Sequence, residues 1–206
     1  MAIKSLSRSG LITYDKYSSF LAGNEAYIPP PTSSYDLISS TILTSTTASV
    51  TFDLTGLSVD YQHLQVRMMI RDNRATTGGN WTFMRLNGDS GANYSTHWLL
   101  GTNGAVSSSS TVNNTYMRIA GISTNDPAGS YSAAVVDLLD PFSTTKYKTM
   151  KALNGYFNTA TADTSRIYLW SNNWRSTAAV TSISFATDVA SYLAGSRFSL
   201  YGFKAA

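Results

Sequence analysis

From residue 32 onward, polar and apolar positions alternate with a period of two through most of this chain, the pattern of strands half buried against a core. The clearest case is QHLQVRMMIR: Leu64, Val66, Met68 and Ile70 fall on one side, and His63, Gln65, Arg67 and Arg71 on the other. The same alternation predicts strands over 35–43, 49–54, 81–86, 115–122, 131–140, 148–157, 166–172, 180–187 and 197–203. Turn signals separate them, among them Asn87-Gly88-Asp89, Thr77-Gly78-Gly79-Asn80 and Asn125-Asp126-Pro127. About ten short strands punctuated by turns predict an all-β chain, a jelly-roll-like two-sheet β-sandwich over residues 32–206. GTNGAVSSSST, residues 101–111, reads as an exposed connection.

The segment before this domain has a different texture. GLITYDKYSSFLAGN carries Leu11, Ile12, Tyr14, Tyr17, Phe20 and Leu21, more apolar surface than a disordered tail holds. Thr13 suits an N-cap, Tyr14, Tyr17 and Leu21 share one helical face, and Gly23 suits the position past a helix end, so a short helix is expected over about 14–22. Pro29-Pro30-Pro31 then form a stiff, extended spacer. Ordering a dozen residues costs roughly 12–24 kcal/mol of backbone entropy, and burying six apolar side chains returns roughly 9–18 kcal/mol. Such an arm holds its shape with the help of a partner, and residues 1–31 are therefore read as an N-terminal anchoring arm, the alternative being that it folds back on its own sandwich.

Composition agrees with the strand reading. Only 13% of the 206 residues are charged, against a usual share of about 25%, and Glu25 is the single glutamate. Thr, Val, Tyr, Phe and Trp abound where good helix formers are scarce. The absence of cysteine removes disulfides, thiolate metal sites and cysteine nucleophiles. A scattered net charge of +3 gives no footprint for nucleic acid, and no apolar run reaches the roughly 18–20 residues that span a bilayer. The Asn-x-Ser/Thr sequons at Asn80, Asn93 and Asn113 come with no secretory signature and are read as incidental.

Motifs for chemistry are missing. There is no GxSxG elbow, phosphate-cradling Gly-Lys loop or calcium loop. His63 and His97 stand without a second histidine or an acid at ligand spacing, and Asp137 with Asp140, before Pro141, reads as a strand end rather than a catalytic pair. No enzyme, metal or cofactor is expected. Aromatics are the stronger signal: if Ile167 and Leu169 face the core in RIYLWSNNW, then Tyr168 and Trp170 face outward, with Trp174 in the next loop. These three are candidates for contact with another subunit or with a glycan, with ordinary burial in the core as the alternative; the same question attaches to Tyr201 and Phe203.

The arm, the SYDLISSTIL opening strand, the RLNGDSGANYSTHW turn region, WRSTAAVTSISF and the ending GSRFSLYGFKAA together resemble a family of small β-rich virion proteins of tailed bacteriophages, common among phages of marine bacteria. The resemblance extends over nearly the whole chain. It implies a virion location and a capsid decoration, or cement, protein docked through its arm on the major capsid protein or another virion protein. It also implies a homo-oligomer, often a trimer, and brings no catalytic residues. The alternative is a tail or fibre component, or a head-mounted adhesin, that binds host-surface glycan through Tyr168, Trp170 and Trp174.

Overall fold

The computed structural model describes residues 34–75, 79–123, 129–157 and 165–204. The anchoring arm over 1–31, its helix over 14–22 and the six apolar residues Leu11, Ile12, Tyr14, Tyr17, Phe20 and Leu21 lie outside the described residues. Twelve strands are formed among those described: β1 (Tyr35–Ile42), β2 (Ser49–Asp53), β3 (His63–Ile70), β4 (Gly79–Leu86), β5 (Tyr94–Thr102), β6 (Ala105–Asn114), β7 (Met117–Ser123), β8 (Ser132–Leu139), β9 (Lys148–Tyr156), β10 (Arg166–Trp174), β11 (Ser182–Thr187) and β12 (Arg197–Phe203). They make two antiparallel sheets, one ordered β1-β12-β3-β8-β9-β10-β5-β6 and the other β2-β11-β4-β7. The chain is therefore an all-β sandwich.

Its connections are those of a jelly roll. The first four strands pair in turn with partners taken from the far end of the chain: β1 with β12, β2 with β11, β3 with β8 and β4 with β7. The result is one long antiparallel ribbon. Folding that ribbon on itself adds the pairs β12–β3 and β11–β4, which completes two four-stranded sheets with the double Greek-key order. Two hairpins are inserted into this plan, β5–β6 between β4 and β7, and β9–β10 between β8 and β11. They pair with each other through β10 and β5 and with the body through β8 and β9, widening one sheet to eight strands.

The alternation read from the sequence sets the core. Leu64, Val66, Met68 and Ile70 of β3 are buried, as are Ala134, Val136 and Leu138 of β8, Ile183 and Phe185 of β11, and Phe198 and Leu200 of β12. Corners where the chain changes sheets are held by polar side chains. Asn87 and Gly88, both at positive φ, close a turn from the Asp89 N–H to the Leu86 carbonyl, as a type I′ turn requires. Asp89 then accepts from Trp174 Nε1 (2.7 Å), Asn93 Nδ2 (2.9 Å) and the Gly91 N–H (2.7 Å). Burial acts to raise its carboxyl, but those donors outweigh it and hold the group below its ordinary value. Lys148, fully buried, donates to the carbonyls of Ser143 (2.7 Å) and Lys146 (2.8 Å), tying the loop before β9.

Strand β7 poses the main polar problem. It is the outermost strand of the small sheet, yet it is buried, so the backbone groups on its free side have no water. The large sheet supplies their partners one strand at a time. Thr96 of β5 accepts from the Arg118 N–H (3.4 Å), and Asn172 of β10 donates to the Arg118 carbonyl (3.0 Å). Asn154 of β9 accepts from the Gly121 N–H (2.6 Å) and donates to its carbonyl (3.1 Å), and Ser132 of β8 accepts from the Ser123 N–H (3.2 Å). Because successive positions of β7 meet successive strands, β7 lies across the large sheet. Gly121 permits the approach: a Cβ there would meet the Tyr156 ring at 2.8 Å and the Tyr168 ring at 3.1 Å.

One difference from the sequence reading concerns residues 94–114. The segment 101–111, expected as a connection, is a β-hairpin with Thr102 paired to Ala105 across Asn103-Gly104, and Gly104 takes φ 79°. A serine run carries no apolar alternation, so β6 is held as a strand by its ladder to β5 rather than by burial.

Replacing Asn154 with Leu would leave both Gly121 backbone groups buried and unpaired. We expect a loss of about 2–4 kcal/mol, read as a lower urea midpoint with an unchanged slope. Burial raises the hydroxyls of Tyr156 and Tyr192, and that of Tyr94 to about 12. The unfolded chain releases these protons near pH 10.0 while the folded chain keeps them, so their contribution is complete below that pH and is lost as pH rises. Lys148, lowered by burial from 10.5, acts in the opposite sense only up to that value. Between about pH 10.5 and 12, stability should fall by up to about 1.4 kcal/mol per pH unit for each of the three tyrosines, measured as the urea midpoint against pH.

Candidate functional site

The outward side of the eight-stranded sheet is the most distinctive surface of the described residues. In an antiparallel sheet facing water on one side, the outward positions are normally polar. Here register places apolar residues next to one another instead. Leu99 of β5 stands opposite Leu169 of β10, which stands opposite Leu153 of β9, which stands opposite Val135 of β8. Leu99, Leu169 and Leu153 are about half exposed, at 47%, 46% and 53%. A neighbouring row runs from Val106 past Gly101 to Ile167, then past Gly155 to Ala133 and Met69. The two glycines leave Ile167 standing proud.

Polar and aromatic groups border these rows. On one side Lys151 lies 3.9 Å from Asp137, which also accepts from Gln65 Nε2 at 2.7 Å. At the β1 end, Tyr35 stacks on Tyr201 with ring centroids 4.8 Å apart, and the Arg67 guanidinium lies over both rings. Phe203 leans on Tyr35 at 4.7 Å. Tyr201 and Phe203 thus belong to the half-buried margin of this face. An apolar core with a rim of tyrosine, arginine and charge is the usual make-up of a protein interface.

Tyr168, Trp170 and Trp174 correct the sequence reading. All three point into the sandwich, with 1%, 0% and 3% of their surface exposed, and Trp174 ends β10 rather than lying in a loop. The outward residues are Ile167 and Leu169, the reverse of the expected phase. Alternation alone cannot say which side of a strand is buried when both sides are apolar, and here volume decides. The inserted hairpins open a wide space beneath β7, and only rings fill it: Trp81 meets Tyr168 and Trp170 edge-on at 5.3 and 5.5 Å, and Trp98 packs on Trp170 at 5.9 Å. These side chains offer no platform to a sugar or to another subunit.

The histidines and acids lie outside the apolar rows, His97 and Asp137 in the polar row beside them. His63 Nδ1 accepts from the Asp140 N–H at 3.0 Å and lies 3.4 Å from the Asp140 carboxylate, a neighbour that linear spacing does not reveal. Lys146 Nζ donates to that carboxylate at 2.7 Å, and this ion pair holds it below its ordinary value. Asp140 and Lys146 line an open hollow of about 380 Å³ with Tyr61, Gln62 and Phe142. A carboxylate already neutralised by lysine makes a poor general base. His97 is exposed between Ser110 and Ser171, and Asp137 is engaged with Gln65 and Lys151. Among the described residues no three His, Asp or Glu side chains converge as a metal site. Asn80 is fully buried and donates to Asp72 at 2.6 Å, so its sequon is structural.

No family model, curated protein or solved structure matches the chain, so its reading rests on its own residues.

Trp170→Ala tests where the aromatics act. A core tryptophan loses about 3–5 kcal/mol on truncation, whereas a surface platform residue changes stability by less than about 0.5 kcal/mol. We expect the larger loss in urea denaturation.

Proposed function

We propose that this protein is a non-enzymatic virion structural protein of the capsid decoration type, a jelly-roll body docked on an assembled bacteriophage particle through residues 1–31. The observation that carries this reading is the outward face of the eight-stranded sheet, where Leu99, Leu169 and Leu153 stand in one row beside Ile167 and Met69. Such a face gains free energy when protein covers it, at about 25 cal/mol per Å² of apolar surface removed from water. An arm with six apolar side chains and a stiff proline spacer adds a second, independent grip.

The mechanism is linkage. A protein that binds the assembled shell and not its free subunits adds its binding free energy to the assembled state. Neither grip asks for a catalytic group. The low charge of the chain suits a permanent, largely apolar attachment better than a salt-dependent one.

Removing residues 1–30 should leave a soluble, folded β-body whose unfolding midpoint matches that of the full chain and which no longer sediments with particles. Unchanged occupancy of the truncated body on particles would refute docking through the arm. The double variant Leu153→Asp with Leu169→Asp, at two half-exposed positions, should fold normally and weaken particle attachment at least about tenfold if that face is covered on assembly.

A further inference from the structure

The two sheets have four edge strands, β1, β6, β2 and β7, and the described residues show how three of them are guarded. An exposed edge invites pairing with another chain, and proteins block it with short strands, bulges, charges or cover. β1 is interrupted by a bulge between Leu37 and Ser39 and carries Asp36, paired with Lys204 at 2.7 Å. β2 is five residues long and ends in Asp53. β7 is buried, with its free side capped by Thr96, Asn172, Asn154 and Ser132. β6 has one irregularity, at its far end, where the register with β5 shifts between Thr111 and Asn114, and none of the other defences. It is ten residues long, without charge or proline, exposed along most of its length, and no described strand pairs with its outer side.

Its sequence is also symmetric about one residue. In AVSSSSTVNN, Val106 and Val112 stand three positions either side of Ser109. When a strand pairs antiparallel with a copy of itself, positions equidistant from the centre oppose each other. Centred on Ser109, that rule sets Val106 against Val112 of the other copy, Ser107 against Thr111, and Ser108 against Ser110. Both valines are exposed, at 75% and 65%, and as even-numbered positions of β6 they lie on the same side of the sheet as Leu99. Polar strands specify register weakly, and here the valine pair supplies the specification: a one-residue shift separates the valines, setting them against Thr111 and Ala105 in one direction and against Asn113 and Ser107 in the other.

We infer that β6 is a homodimerisation edge, on which a second copy of this chain pairs antiparallel about a two-fold axis through Ser109. The backbone groups along Val106–Val112 find partners, the valines meet, and the two outward apolar faces join into one. Asn113, at φ 58° and held by Arg175 through its side chain at 2.7 Å, marks where the pairing stops. The contact is two-fold, in place of the three-fold assembly that the family resemblance implies. It is a property of the free chain and does not depend on particle attachment.

The test uses the full chain in solution. Sedimentation velocity at about 50 μM should show a dimer, and a monomer at that concentration overturns the inference. Ser109→Lys and Ser109→Asp each place like charges opposite one another on the axis; each should be monomeric, and their equimolar mixture should dimerise. A dimer unaffected by Ser109→Lys refutes the β6 contact. Because the chain has no cysteine, Ser109→Cys alone should form an intermolecular disulfide under mild oxidation. Ser107→Cys should not, since its two copies would lie about 14 Å apart along the strands, beyond disulfide reach. Equal cross-linking at both positions overturns the register. The chain lacking residues 1–30 should dimerise as the full chain does, which separates this result from any failure of arm docking.

Discussion

A buried edge is tolerated only if its peptide groups are paired, and the arrangement of this sandwich follows from how that demand is met at β7. Four buried polar side chains, from four adjacent strands of the large sheet, complete the hydrogen bonds of a strand that lies across them. A second layer of strand would have required β7 to run parallel to its cover; side-chain amides and hydroxyls impose no such direction. They fix the two sheets in one relative placement, because Asn154 can reach both peptide groups of Gly121 from only one position. Packing follows from that placement. With no side chain at Gly121, the rings of Tyr156 and Tyr168 come up against β7, and Trp81 and Trp98 close on Trp170.

The inserted hairpins explain both the depth of this core and the width of the exposed face. An eight-stranded jelly roll would have two sheets of equal size. Adding β9–β10 and β5–β6 to one of them doubles its span, while the other keeps four strands. The additional strands present one side to β7 and the aromatic cluster, and the other to the outside. Six of their outward positions, Leu99, Val106, Val112, Leu153, Ile167 and Leu169, are apolar where serine or lysine would serve an isolated monomer, and the same strands end in an exposed edge. The surface features that point to assembly therefore fall together, on the insertions, leaving the jelly-roll frame beneath to supply stability.

Electrostatics plays a supporting part. The charged groups that the fold engages act locally: Asp89 organises a corner, Lys148 ties a loop by its carbonyls, and Asp140 with Lys146 and His63 closes the end of β8. A face of leucine and tyrosine with one arginine over two rings offers contacts that salt screens little.

Sequence alone determined the strand content, because a period-two alternation in residues such as Leu64 to Ile70 has one physical reading, and because a chain poor in glutamate and lysine offers little else. Ten of the twelve strands were legible in this way. The other two were not: β5 has apolar residues on both sides, and β6 is a serine run whose only local sign was Asn103-Gly104. The candidate face was illegible for a related reason. In RIYLWSNNW either phase of the alternation buries apolar residues, and only the space that the tertiary structure opens under β7 decides that the rings go in and Ile167 and Leu169 stay out. Polar residues at core positions, Thr96, Ser132, Asn154 and Asn172, look like interruptions in the linear pattern, since the strand they serve is distant in the chain. Period and composition are properties of neighbours along the backbone; which side is covered, and which edge is left open, depends on what the fold brings across from elsewhere.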